Sequence, residues 1–127
     1  MGQKERVSIK SICVFCSSSN SIDDVYFETA TDLGHRIGQL GLGLVYGVAS
    51  IGLMGAIARA THEKGGRVLG VIPEFFRDKD KNFEYSKADE LIIVETMRIR
   101  KAVMDERADA FIALPGGIGT LEEVIEI

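Results

Sequence analysis

The stretch Asp109-Ala110-Phe111-Ile112-Ala113-Leu114-Pro115-Gly116-Gly117-Ile118-Gly119-Thr120-Leu121-Glu122-Glu123 decides how the chain is read. Its first six residues are an apolar run of the length of a buried strand. Three glycines then crowd the point where strand gives way to helix, since Thr120 to Ile127 carries helical spacing. Without Cβ, glycine lets a ligand approach the backbone closely. The amide groups and dipole of a helix N-terminus favour an anion, typically a phosphate. Glu122 and Glu123 fall in the first helical turn, where acids are ordinary dipole partners worth about 0.3–1 kcal/mol each. The stretch therefore has two readings: a plain strand-to-helix turn, or a phosphate cradle with a carboxylate beside it.

Working back from it, strand and helix alternate through the chain. Val7 to Phe15 reads as a first strand with Ile9, Ile12, Val14 and Phe15 as its apolar content. A polar loop, Cys16 to Ser21, leads into a helix from Ile22 to Leu40. Phe27, Ala30, Leu33, Ile37 and Leu40 form its core-facing stripe. Leu42 to Tyr46 is a second strand, Gly47 to Gly52 a glycine-bearing turn, and Leu53 to Lys64 a second helix. Arg67 to Ile72 is a third strand ended by Pro73. Glu74 to Ala88 reads as a long connection. Asp89 to Glu95 is a fourth strand, and Thr96 caps a helix over Met97 to Arg107. This order predicts an α/β fold, a Rossmann-like, doubly wound parallel sheet with helices on both faces. Residues 1–127 make one such nucleotide-binding domain. The sequence ends inside the helix after the Pro-Gly-Gly-Ile-Gly-Thr loop, so the fold is expected to be C-terminally truncated.

In such sheets ligands gather at the carboxyl ends of the strands, near the switch in strand order. Three loops fall there: Cys16–Ser21, Gly47–Gly52 and Pro115–Gly119. Their convergence favours the phosphate cradle, with Ser17 and Gly47 as further binding candidates. Arg98, Arg100 and Lys101 sit near a helix N-terminus, where cations are mildly unfavourable. An anionic ligand or carboxylate nearby would explain them, and so would a solvated basic face. Arg100 can offer a planar fork to a phosphate, a ribose or a carboxylate. Glu123 is the candidate catalytic carboxylate, able to orient water or stabilise an oxocarbenium-like centre; otherwise it is a helix-start acid paired with Arg100.

Composition bounds the rest. The 127 residues suit one domain, and 46% hydrophobic with 27% charged content suits a folded globule. A net charge of -4 argues against nucleic acid as a partner. No apolar run is long enough for a membrane span. Cys13 and Cys16 make no disulfide framework, so they read as small buried thiols and a cytoplasmic location is expected. His35 and His62 have no metal-ligand spacing, and Met54 and Met97 read as core or pocket lining.

With these residues in place, the chain resembles the Lonely Guy family, cytokinin riboside 5′-monophosphate phosphoribohydrolases whose members are often labelled lysine decarboxylases. Leu114–Glu123 matches that family's P-G-G-x-G-T-x-x-E signature. Cys13–Cys16, Leu44–Gly47, Gly52–Gly55, Gly70–Pro73 and Met97 with Arg100-Lys101 match in the family's order. The resemblance implies hydrolysis of the N-glycosidic bond of a nucleoside 5′-monophosphate to free base and ribose 5-phosphate, with no metal or redox cofactor. It implies Arg100 and Glu123 as catalytic residues and Gly116, Gly117, Gly119 and Thr120 as the phosphate loop. Lys101 and Glu122 would also line the site, and the protein would be a homodimer or larger homo-oligomer. The sequence departs from the family at Ser17, Val48, Ala49, Arg98 and Ile99, which bear on pocket shape. A non-catalytic nucleotide-binding module of the same fold is the alternative. A pyridoxal phosphate-dependent decarboxylase is more distant, because its Schiff base would fall to Lys101.

Overall fold

Five short apolar runs become five strands, four of them with side chains divided between two helical layers. The computed structural model describes residues 8–16, 24–47, 52–75 and 87–114. The elements are β1 (Ser11–Phe15), α1 (Asp24–Gln39), β2 (Gly43–Tyr46), α2 (Gly52–Glu63), β3 (Arg67–Pro73), β4 (Glu90–Val94), α3 (Met97–Arg107) and β5 (Ala110–Ala113). All four strand pairings are parallel, in the order β4-β3-β2-β1-β5. The chain thus lays down β1 to β4 in one direction and then returns to the other side of β1. The switch in strand order lies between β1 and β5.

Period-two alternation sorts the core. Val14, Leu44, Tyr46 and Val68 face one way and pack with Ala30 and Ile37 of α1 and Leu53, Ile57 and Ala58 of α2. Cys13, Phe15, Val45, Leu69, Val71 and Val94 face the other way and meet Met104 of α3. Helices therefore cover both faces, as the alternating apolar pattern of a buried parallel sheet requires. Cys13 and Cys16 are buried and not disulfide-bonded, in opposite layers. Phe15 and Phe111 stack on the α3 side, with ring centroids 6.1 Å apart.

The two helices on the first face approach closely because α1 carries Gly34 and Gly38, one turn apart and both buried. A Cβ on Gly34 would lie 2.6 Å from the carbonyl oxygen of Ile57, and one on Gly38 2.6 Å from that of Thr61. These glycines were not part of the expected stripe. Phe27, Ala30, Leu33 and Ile37 do pack inward, whereas Leu40 is 70% exposed. It lies past the last helical residue, where the chain turns through Gly41 with φ +72°. Ile9 departs in the same way: it precedes β1 and is 46% exposed. Pro73 closes β3 from within, as its last residue paired with Val94. That end position suits a residue with no N–H for the ladder. Most of the expected Glu74–Ala88 connection lies outside the described residues.

Carboxylates fix the amino ends of the strands. Asp109 accepts hydrogen bonds from the backbone N–H groups of Lys10 and Ser11, at 2.8 and 3.0 Å. Asp89 accepts from the Val68 N–H at 2.7 Å and pairs with His62 Nε2 at 2.8 Å. The two backbone bonds hold the Asp109 carboxyl below its ordinary value of 3.8. Partial burial pushes Asp89 up, but His62 and the Val68 N–H outweigh it and the net direction is also down. In the unfolded chain both carboxylates take up protons first. The stability they contribute is therefore present above about pH 3.8 and is lost as pH falls through the lower folded values. A double variant, Asp89→Asn with Asp109→Asn, is expected to show a flatter acid limb in urea melts recorded between neutral pH and about pH 2.5. An acid limb as steep as that of the unmodified protein would contradict this assignment.

Candidate active site

The carboxyl edge of the sheet holds Gly47 and Arg100, two of the residues expected to carry chemistry. β1 and β5 end level with each other, Phe15 opposite Ala113, and the Leu114 N–H donates to the Phe15 carbonyl at 2.8 Å. The chain therefore enters residues 115–127 at the switch point, beside the end of β1 and one strand from the end of β2. Ser17, Gly116, Gly117, Gly119, Thr120, Glu122 and Glu123 lie outside the described residues, as do Val48 and Ala49. The described portion of the expected site is Gly47, Arg100 and Lys101, with the helix that brings the two cations in.

That helix starts where the sequence places it. Thr96 has extended backbone, φ −137° and ψ 163°, and its hydroxyl accepts the Ile99 N–H at 3.1 Å. The cap satisfies one of the free amides of the first turn. It also sets the phase of α3, so that Arg100 points at the sheet and is only 7% exposed. Arg98 and Ile99 face outward, and Lys101 is half-buried beside Arg100. The Arg100 Nε–H donates to the Val71 carbonyl of β3 at 3.1 Å, and Nη1 lies 3.7 Å from the Met97 sulfur.

Nη2 of Arg100 occupies the space above Gly47. A Cβ built on Gly47 would overlap Nη2 outright, and would stand 3.1 Å from Cζ and 3.3 Å from the Met54 methyl. Gly47 is the residue directly after β2, so the missing side chain is filled by a guanidinium from a helix 53 positions later in sequence. Gly47, read from the sequence as a ligand-facing glycine, thus also receives an arginine. Met54 and Met97, expected as core or pocket lining, flank this contact. The Val71 carbonyl was not foreseen; the one clue was that β3 follows β2 and pairs with it.

A buried guanidinium keeps its charge and its planar donor fork. Placed at the carboxyl edge of a parallel sheet, it can bind the oxygens of a phosphate, ribose or carboxylate ligand. Among the described residues, no group of three or more His, Cys, Asp or Glu side chains is placed to hold a metal ion. No helix among them is long and apolar enough to cross a membrane.

A parallel α/β sheet with a buried arginine at its carboxyl edge defines a Rossmann-like fold with a cation at the edge where such sheets receive ligands. Comparison narrows it: the profile of the family described as "Possible lysine decarboxylase" matches residues 54–127, and the chain belongs to that family. Over 118 residues it is 49% identical to a cytokinin riboside 5′-monophosphate phosphoribohydrolase of Arabidopsis thaliana, covering 93% of this chain and 51% of that protein. A rice enzyme of the same name (Oryza sativa subsp. japonica) is 43% identical over 124 residues, covering 98% of this chain and 50% of its own length. The chain thus spans about half the length of these relatives.

Among solved structures, the molybdenum cofactor binding protein of Rippkaea orientalis superposes with a TM-score of 0.77 at 22% identity. That match covers 94% of this chain and 71% of the other. The molybdenum cofactor carrier protein of Chlamydomonas reinhardtii gives 0.77 at 23% identity, covering 93% and 70%. At that level of identity the two share the fold.

Proposed function

We propose that this protein hydrolyses the N-glycosidic bond of nucleoside 5′-monophosphates, cytokinin riboside 5′-monophosphates or AMP, to free base and ribose 5-phosphate. The observation that carries the reading is the buried Arg100 guanidinium seated over Gly47 at the carboxyl edge of the sheet. The names of the 43–49% identical relatives support the same reaction class. Gly116, Gly117, Gly119 and Thr120 hold the 5′-phosphate, as a glycine-rich turn at a helix N-terminus can. Arg100 faces the ribose and its scissile bond, with Lys101, Glu122 and Ser17 lining the pocket. Glu123 orients a water toward the anomeric carbon and stabilises the positive charge that grows there as the bond to the base breaks. The water oxygen ends on the sugar, and the departing base takes up a proton. The protein works in the cytoplasm as a homo-oligomer, and residues 1–127 form a single nucleotide-binding domain.

The test is incubation of the purified protein with AMP and with isopentenyladenosine 5′-monophosphate, followed by chromatography for free base. Glu123→Gln is expected to remove base release, by at least about 100-fold, while nucleotide binding survives. Loss of both would make Glu123 structural. Nucleotide bound but recovered intact from the unmodified protein would favour a binding module.

A further inference from the structure

The two apolar residues that sequence periodicity placed in the core, Ile9 and Leu40, are both exposed, and both line the same cavity. It lies at the amino ends of β1, β2 and β3, on the edge of the sheet opposite Arg100. Its volume is about 420 Å³, within the range of small-molecule pockets. Leu42 and Val68 continue the apolar wall, while Gly41 and Gly43 add no side chains to it.

Three cations line this cavity, Lys10, Arg67 and Arg107, against one acid, Glu90. Arg107 and Glu90 bind each other through two hydrogen bonds, Nη2 to Oε1 at 2.9 Å and Nη1 to Oε2 at 3.2 Å. Of the neighbouring acids, Asp109 is engaged by the Lys10 and Ser11 N–H groups, and Asp89 by His62 and the Val68 N–H. Lys10 and Arg67 are the cavity's cations outside that pair, moderated by Asp109, Asp89 and Glu90 at longer range. The balance suits one negative charge better than two. The lining itself thus carries a positive excess in a chain of net charge -4, with Asp89 and Asp109 balancing it from outside the lining.

We propose that this cavity is a second small-molecule site, one that takes an organic monocarboxylate with an apolar ring. The ring lies against Ile9, Leu40 and Leu42, and the carboxylate meets Arg67 and Lys10. The site is independent of nucleotide chemistry at the other edge of the sheet. A ligand there touches the starts of the strands whose opposite ends carry Gly47 and Val71.

The probe is 2-naphthoate, titrated into the full ¹⁵N-labelled chain and followed by amide NMR. The Gly41 and Gly43 signals are expected to shift saturably, with half-saturation at or below about 1 mM, while Gly47 stays still. Neutral 2-naphthamide and ring-less acetate should each bind at least about tenfold more weakly. Lys10→Gln with Arg67→Gln, both at exposed positions and so harmless to folding, should weaken 2-naphthoate by at least about tenfold, and Leu40→Asn should weaken it too. The proposal is overturned by absent shifts, by shifts confined to Gly47, by equal binding of the amide, or by a double variant that binds as the unmodified protein does.

Discussion

A Gly47→Ala variant is expected to lose at least about 100-fold in base release while remaining folded. The added Cβ would stand where Nη2 of Arg100 now lies. The far end of an arginine can swing away, so the fold loses little. The guanidinium cannot stay in place, however, and swinging away costs it the Nε bond to the Val71 carbonyl and the contact of Nη1 with the Met97 sulfur. A displacement of an ångström or more in a group proposed to face the scissile bond suffices for a loss of that size. The checks are kcat/KM for AMP and a thermal melt on the same sample. A melt within a few degrees of the unmodified protein with the activity gone is the expected pair. Full activity would show that Arg100 does not need the space above Gly47.

Gly34→Val is expected to have the largest effect on stability, about 3 kcal/mol, with a fall in Tm of about 10 °C. Here the obstructing atoms are the Ile57 carbonyl oxygen at 2.6 Å and the Ala60 Cβ at 2.7 Å, neither of which can swing aside. α1 and α2 must separate, and the apolar layer between them and the sheet opens with them. Helix propensity works the other way, since replacing glycine within a helix gains at most about 1 kcal/mol. The overlap wins. Gly41→Ala serves as the control from the same region: its Cβ would meet nothing within 4 Å, and only the φ of +72° opposes it. Urea melts of the two variants separate packing from backbone strain.

The fold was legible because its signals are local. Each strand is an apolar run bounded by glycine, proline or a polar turn, and α3 begins at the threonine that caps it. The alternation of elements then leaves a parallel sheet as the natural arrangement. Leu40 and Ile9 were misread because an apolar pattern does not know where an element stops; they lie one residue past the end of α1 and two before the start of β1. Gly34 and Gly38 were passed over for the opposite reason. A hydrophobic stripe scores side chains, and these two matter by having none.

The site was legible in part. Arg100 stood out as a cation at the positive end of a helix, and Gly47 as a glycine at a strand end. That one fits over the other is a long-range fact that no spacing rule carries. The Val71 carbonyl that orients the guanidinium has no side-chain signature at all. Arg98 and Lys101 read alike in sequence, yet the phase of α3 turns the first to solvent and holds the second half-buried at the edge of the site.

The central claim is that Arg100, held over Gly47, is the cation on which nucleotide cleavage depends. It is tested most directly by comparing base release from isopentenyladenosine 5′-monophosphate and AMP by the unmodified protein and by Arg100→Lys. Lysine keeps the charge but loses the planar fork and the Nε donor. The expected result is free base from the unmodified protein and a loss of at least about 100-fold in the variant, with nucleotide still bound. Base release at an undiminished rate from Arg100→Lys, or none from either nucleotide with the unmodified protein, would contradict it.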